Sequence, residues 1–168
     1  MMGNKKNPRI LAVSSAGGHW VQLRRLRPAW DGCSVAYITT KEGYREDVML
    51  DAAARQQPAP RFYCVIDANR WHKVRLLRQL LHIVWILLRE RPHVIVSTGA
   101  AAGYFAMKIG KVIGARTIWL DSMANAETMS LAGKMAGPCA DLWLTQWEQV
   151  VGSEDPENGR PEFKGSVV

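Results

Sequence analysis

Six short apolar runs, each closed by a turn, govern what this chain can become. They read RILAVS (9–14), CSVAYIT (33–39), FYCVI (62–66), HVIVS (93–97), RTIWL (116–120) and LWLT (142–145). Brief, nearly continuous apolar runs suit strands buried on both faces better than strands with one wet face. Between them lie stretches with helical spacing at 20–26, 42–55, 71–91, 104–113 and 128–135. Pro28, QQPAP (56–60), Pro92 and Gly114 punctuate these stretches. Strands alternating with helices predict an α/β protein, a Rossmann-like three-layer parallel sheet with helices on both faces. With 168 residues, 48% of them apolar, the chain can bury one core and has little left for a second. One domain is expected over 1–151. A polar tail follows over 152–168, with room for a short last strand.

Parallel sheets present their ligand sites at the carboxyl ends of the strands. Three clusters fall there. SSAGGH (14–19) is a strand-to-helix turn in which Gly17 and Gly18 let a ligand approach the main chain. Amides at the following helix start favour a phosphate, with Ser15 beside them and His19 at the mouth as a donor or base. The turn is neither GxGxxG nor a P-loop. STGAAAG (97–103) is read as a small-residue loop that leaves room above the sheet edge, where Thr98 can bond to a ligand or to its own backbone. Asp121 and Ser122 end the fifth strand, where a carboxylate is a candidate base or hydroxyl-orienting group. Each cluster alone also suits a structural role: a tight turn, close helix–strand packing, or a cap.

Charge is unevenly distributed. Residues 1–95 hold 16 Lys and Arg against 7 Asp and Glu, whereas 96–168 hold 6 against 8. The basic half points to an anionic partner. The helix over 71–91 concentrates this signal. Val74, Leu77, Leu81, Val84 and Leu88 share a stripe, Leu80, Ile83, Ile86 and Leu87 widen it, and Arg75, Gln79, His82 and Arg89 mark a narrow polar one. Arg70, Lys73, Arg75, Arg78, Arg89 and Arg91 accompany Trp71 and Trp85. That composition suits a helix lying in the headgroup layer of an anionic membrane, with Trp71, Lys73, Arg75, Arg78 and Trp85 in contact. A core helix with snorkelling arginines, or a partner-docking helix, would share the composition.

Several classes are set aside. Cys33, Cys64 and Cys139 are scattered and odd in number, so buried thiols are expected rather than a disulfide framework. His72, His82 and His93 lack metal-ligand spacing and are read as structural; no metal and no cofactor are expected. No aromatic-basic motif supports nucleic-acid binding. A dinucleotide-dependent oxidoreductase is disfavoured, because the second strand ends in Thr39-Thr40 with no acidic residue. The amino-terminal residues do not read as a signal peptide, and no apolar stretch is long enough to span a bilayer.

Taken in order, VSSAGGH (13–19), STGA (97–100), WLDS (119–122), SLAGKM (130–135), AD (140–141) and TQWEQV (145–150) resemble the PssD group of bacterial polysaccharide-synthesis proteins. That group includes the eukaryotic asparagine-linked glycosylation protein fourteen. The resemblance covers about 10–150. It implies the amino-terminal half of a GT-B glycosyltransferase such as MurG, which binds a lipid-linked acceptor through glycine-rich loops. The donor half would be a separate PssE-like chain holding the UDP-sugar, since no second Rossmann-like domain follows here.

By this resemblance Gly17, Gly18 and His19 line the acceptor diphosphate, and Thr98 and Gly99 form the second loop. Asp121 stands where relatives usually carry Glu, and Gln146 and Trp147 lie near the partner interface. The eukaryotic member has an amino-terminal membrane helix. Here attachment would rest on 71–91, at the cytoplasmic face of the plasma membrane. The expected activity is inverting transfer from a UDP-sugar to a polyprenyl-diphosphate-linked acceptor, with His19 as base or diphosphate contact and Asp121 second. A non-catalytic membrane scaffold that recruits a separate transferase is the alternative.

Overall fold

All six apolar runs form strands of a single parallel sheet in the computed structural model, which describes residues 7–68, 71–151 and 160–167. They are β1 (Arg9–Val13), β2 (Ser34–Thr39), β3 (Arg61–Cys64), β4 (Val94–Ser97), β5 (Arg116–Leu120) and β6 (Leu142–Thr145). A two-residue β7 (Glu162–Phe163) joins the edge, and the order is β3-β2-β1-β4-β5-β6-β7. Every pairing is parallel.

The connecting helices are α1 (Gly18–Arg25), α2 (Arg45–Ala54), α3 (Lys73–Glu90), α4 (Ala100–Val112) and α5 (Leu131–Ala136). Side chains of β1 alternate between two cores, as a period of two requires. Ile10 and Ala12 pack with Trp20, Leu23 and Val48 of α1 and α2. Leu11 and Val13 pack with Ile83, Ile86, Leu87, Ala106 and Met107 of α3 and α4. Helices thus cover both faces, and the chain reverses direction across the sheet between β1 and β4.

Several boundaries differ from the sequence reading. The small-residue loop is only Thr98-Gly99, because α4 already begins at Ala100. Its small residues serve packing: a Cβ at Gly103 would fall 1.9 Å from Ser97 Oγ. The stretch 42–55 opens as a 3-10 turn, Glu42–Tyr44, before α2. The helix read over 71–91 runs from Lys73 to Glu90. Arg91, left-handed at φ 45°, ends it ahead of Pro92.

Gln79, expected on the polar stripe of α3, is buried and donates from Nε2 to the Ile66 carbonyl at 2.8 Å. The three cysteines are unpaired but half-buried rather than buried, and burial raises the thiol pKa of Cys64 and Cys139. The end of the tail folds onto the domain: Val167 donates to Gln146 Oε1 and accepts from Arg25. Arg70 and residues 152–159 of the tail lie outside the described residues.

Candidate functional site

Because Val13 pairs with Ser97 in register, the turns after β1 and β4 emerge side by side. This is the point where the strand order reverses, the usual place for a ligand in an open parallel sheet. The two turns are joined by a reciprocal pair of hydrogen bonds. His19 Nδ1 donates to the Thr98 carbonyl at 2.8 Å, and Thr98 Oγ1 donates to the His19 carbonyl at 2.7 Å. The carbonyl partner puts the proton on Nδ1 of the neutral ring, so Nε2 keeps its lone pair.

Gly99 adopts φ 141°, and a Cβ there would sit 2.5 Å from the His19 ring. Glycine is required both by the backbone and by the imidazole resting on it. Across the gap, Gly17 has φ 82°, and a Cβ at Gly17 or Gly18 would meet nothing within 4 Å. Helices α1 and α4 both start here, and neither amino terminus receives a side-chain cap. The Gly17 and Gly99 amides are taken by Tyr44 OH and Ser97 Oγ, so among the described residues the first-turn amides from Gly18 and Ala100 onward, with the positive ends of two dipoles, are left for a ligand. That arrangement suits a phosphorylated ligand.

Two supporting residues escaped the sequence reading. Thr40 Oγ1 accepts from the Ala16 amide at 3.0 Å, and Tyr44 OH accepts from the Gly17 amide at 3.2 Å. Trp20 stacks on Tyr44 with ring centroids 4.9 Å apart. Both residues lie in the segment after β2, and nothing local in the sequence links them to the first turn. Ser15 sits half-buried in the turn itself.

Asp121 and Ser122 do not join this edge as working groups. Asp121 is 1% exposed, and its carboxylate accepts four hydrogen bonds. The donors are Trp119 Nε1, Asn125 Nδ2, the Ser130 amide and Ser130 Oγ. Ser130 Oγ in turn caps α5 by accepting from Gly133. The carboxylate expected as a second base therefore ties the end of β5 to α5. Ser122 Oγ accepts from the Ala124 amide within its own turn.

Gln146 and Trp147, expected at a partner interface, are occupied internally. Gln146 is 2% exposed and bridges the Asp121 carbonyl and Val167. Trp147 Nε1 donates to the Met123 carbonyl. Among the described residues, no three His, Cys, Asp or Glu side chains cluster so as to hold a metal.

Helix α3 divides its apolar residues between two sides. Ile83, Ile86 and Leu87 face the core, while Trp71 just before the helix and Val74, Leu77, Leu81, Trp85 and Leu88 on it remain 51–76% exposed. Lys73, Arg75 and Arg78 are exposed at its start, and Arg89 lies over the Trp85 ring. Among the described residues no helix is long and apolar enough to cross a membrane. Beside Gly99 opens a groove of about 410 Å³, with no charged side chain among the described residues that line it, bounded by Leu76, Ala101, Tyr104, Leu131 and Met135 among others.

A doubly wound sheet with paired helix starts at its switch point is a Rossmann-like half of the kind found in GT-B proteins. MurG from Acinetobacter baumannii superposes with a TM-score of 0.67 over 95% of this chain at 11% identity. UDP-N-acetylglucosamine 2-epimerase from Rickettsia bellii does so at 0.66 over 96%, also at 11% identity. The chain spans 46% and 45% of those two proteins, just under half of each.

A family model described as oligosaccharide biosynthesis protein Alg14 like matches residues 59–158, and this chain belongs to that family. Two relatives carry the name UDP-N-acetylglucosamine transferase subunit ALG14. The one from Yarrowia lipolytica is 30% identical over 96% of this chain and 82% of its own. The one from Eremothecium gossypii is 23% identical over 86% and 75%.

Proposed function

We propose that this chain is the acceptor-binding subunit of a two-chain transferase that moves N-acetylglucosamine from UDP-N-acetylglucosamine to a polyprenyl-diphosphate-linked acceptor. The observation that carries this reading is the clasp of His19 with Thr98 and Gly99 between two uncapped helix starts. The acceptor diphosphate takes the amides around Gly18 and Ala100, with Ser15 and Thr98 at the sides. His19 Nε2, facing away from its Thr98 anchor, removes the proton from the attacking acceptor hydroxyl. The hydroxyl oxygen bonds to the anomeric carbon as the bond to UDP breaks, which inverts that centre. A separate PssE-like chain holds the UDP-sugar and stabilises the leaving diphosphate. The names of the relatives, which call them transferase subunits, support a partner of this kind.

The exposed face of α3 meets the cytoplasmic leaflet of the plasma membrane. Six large apolar side chains left in water forgo up to roughly 1.5–3 kcal/mol each relative to burial. Cations flank them, and α4 and α5 carry no acidic residue. That pattern fits an anionic lipid surface. The groove beside Gly99, apolar over its described lining, gives the first carrier isoprenes a path toward that surface.

The test is a transfer assay with acceptor lipid and UDP-N-acetylglucosamine, run with this chain, with the donor-binding chain, and with both. Turnover is expected only with both. His19→Gln is expected to lower kcat about a hundredfold or more, within the range for general-base catalysis, with assembly intact. Full activity of the His19→Gln complex would favour the scaffold reading. Turnover by this chain alone would overturn the two-chain assignment.

A further inference from the structure

At the opposite edge of the sheet, where the strands begin, the carboxyl ends of α3 and α4 enclose a second cavity of about 670 Å³. Arg9, Arg91, Arg116 and His93 line it together with Leu88 and Ile113, and among the described residues no carboxylate does. Among the described residues none of these three arginines makes an ion pair. The nearby Glu90 carboxylate is turned to Arg61 and Tyr63.

Arg9 has a structural task, since its Nε donates to the Glu90 and Arg91 carbonyls at 3.1 and 2.8 Å and so closes the end of α3. Arg91 and Arg116 have no such task and stay exposed. His93 Nδ1 accepts from the Arg9 amide at 3.0 Å, which leaves Nε2 as the protonated donor of the neutral ring. The carboxyl ends of α3 and α4 bring about half a negative charge each, less than the three guanidinium charges around the same cavity, which with an imidazole donor can hold a phosphate. The apolar wall is part of the same picture. Leu88 is 62% and Ile113 43% exposed, and Leu88 belongs to the outward stripe of α3.

We propose that this pocket is a second anion site, distinct from the Gly17–Gly99 edge, which takes the phosphate of an anionic phospholipid headgroup. Leu88 and Ile113 lie against the first part of the acyl region. Filling it fixes the rotation of the domain about α3, because the phosphate contact lies off the helix axis, at one end. The source of the phosphate rests on the membrane-facing reading of α3; the site does not.

The experiment measures binding of the full chain to vesicles of equimolar phosphatidylcholine and phosphatidylglycerol, and to phosphatidylcholine alone. A parallel arm titrates glycerol 3-phosphate and reads the His93 ring resonances. Arg91→Gln with Arg116→Gln is compared with Leu77→Gln with Leu81→Gln; Arg9 is left in place because it closes α3. A cation near an anionic surface is worth about fivefold in affinity. The arginine pair should therefore weaken binding to the anionic vesicles by roughly twentyfold or more, with unchanged melting, and should abolish the His93 response.

Anionic-vesicle binding by the arginine variant equal to that of the parent overturns the proposal, even if the leucine variant fails to bind and so upholds α3. A parent that binds neither vesicle ends the membrane reading. A His93 response to glycerol 3-phosphate would then leave free phosphate as the ligand and overturn the headgroup. No His93 response in the parent overturns the site itself.

Discussion

The His19 ring rests against the α-carbon of Gly99, so the candidate base is placed by a residue 80 positions away that contributes no side chain. Gly99→Ala is the sharpest test of that placement. The new methyl would occupy the ring's position, and φ 141° would strain any residue with a Cβ, at a cost of about 1–3 kcal/mol. Activity of the assembled complex is expected to fall at least tenfold, with a lower melting temperature. Gly18→Ala is the control, because its Cβ meets open space and its backbone is helical. It should melt like the parent yet weaken acceptor binding, which an acceptor titration reads. Asp121 belongs to the same scale but does a different task. Asp121→Asn replaces an acceptor-only group by one with an NH2, and the four donors cannot all be satisfied. A loss of about 2 kcal/mol is expected. Thermal unfolding should show it as a fall of roughly 4–8 °C.

Among the elements, α3 has the most to explain, since it keeps a second apolar stripe in solvent although its first is already buried. The two stripes predict opposite outcomes. Leu77→Gln with Leu81→Gln should leave melting nearly unchanged and reduce vesicle binding several-fold. Ile83→Gln should cost about 2–5 kcal/mol and unfold the chain early, because it places an amide in the core. Circular dichroism and vesicle sedimentation on the same samples separate the two effects.

The link from α4 to the start of β6 carries a pH signature. Lys111 beside Asp141, followed by bonds from Thr117, holds that carboxyl below the ordinary aspartate value. A lowered folded-state pKa means that the stability it adds is complete above about pH 4. It is lost as pH falls through the lowered value. The pair is partly exposed, so the effect is small. Asp141→Asn should flatten the acid limb of the melting-temperature curve and leave the neutral plateau slightly lower.

For the whole molecule, strand number, parallel pairing and helix placement were legible in the chain, because buried parallel strands announce themselves as short apolar runs between helices. RTIWL and LWLT became β5 and β6 with no change of boundary. The position of the first two candidate clusters at strand ends was legible too, since a glycine-rich turn after a strand reads the same wherever the strand lies in the sheet. Their junction was not. His19 and Thr98 are 79 residues apart, and only the placement of β4 beside β1 brings them within bonding distance.

The surroundings of Asp121 and Gln146 were decided in the same way. A polar residue at the carboxyl end of a strand reads alike in sequence whether it faces a ligand or a neighbouring loop, and packing of α5 and the tail turned these two inward. The spacing of α3 gave one apolar arc wider than a sheet needs but could not say which part of it the sheet would cover. The sequence by itself determined the elements and their order, because periodicity and turn chemistry are local. The tertiary structure decided which polar groups stay open to a ligand, because burial depends on neighbours that are distant along the chain.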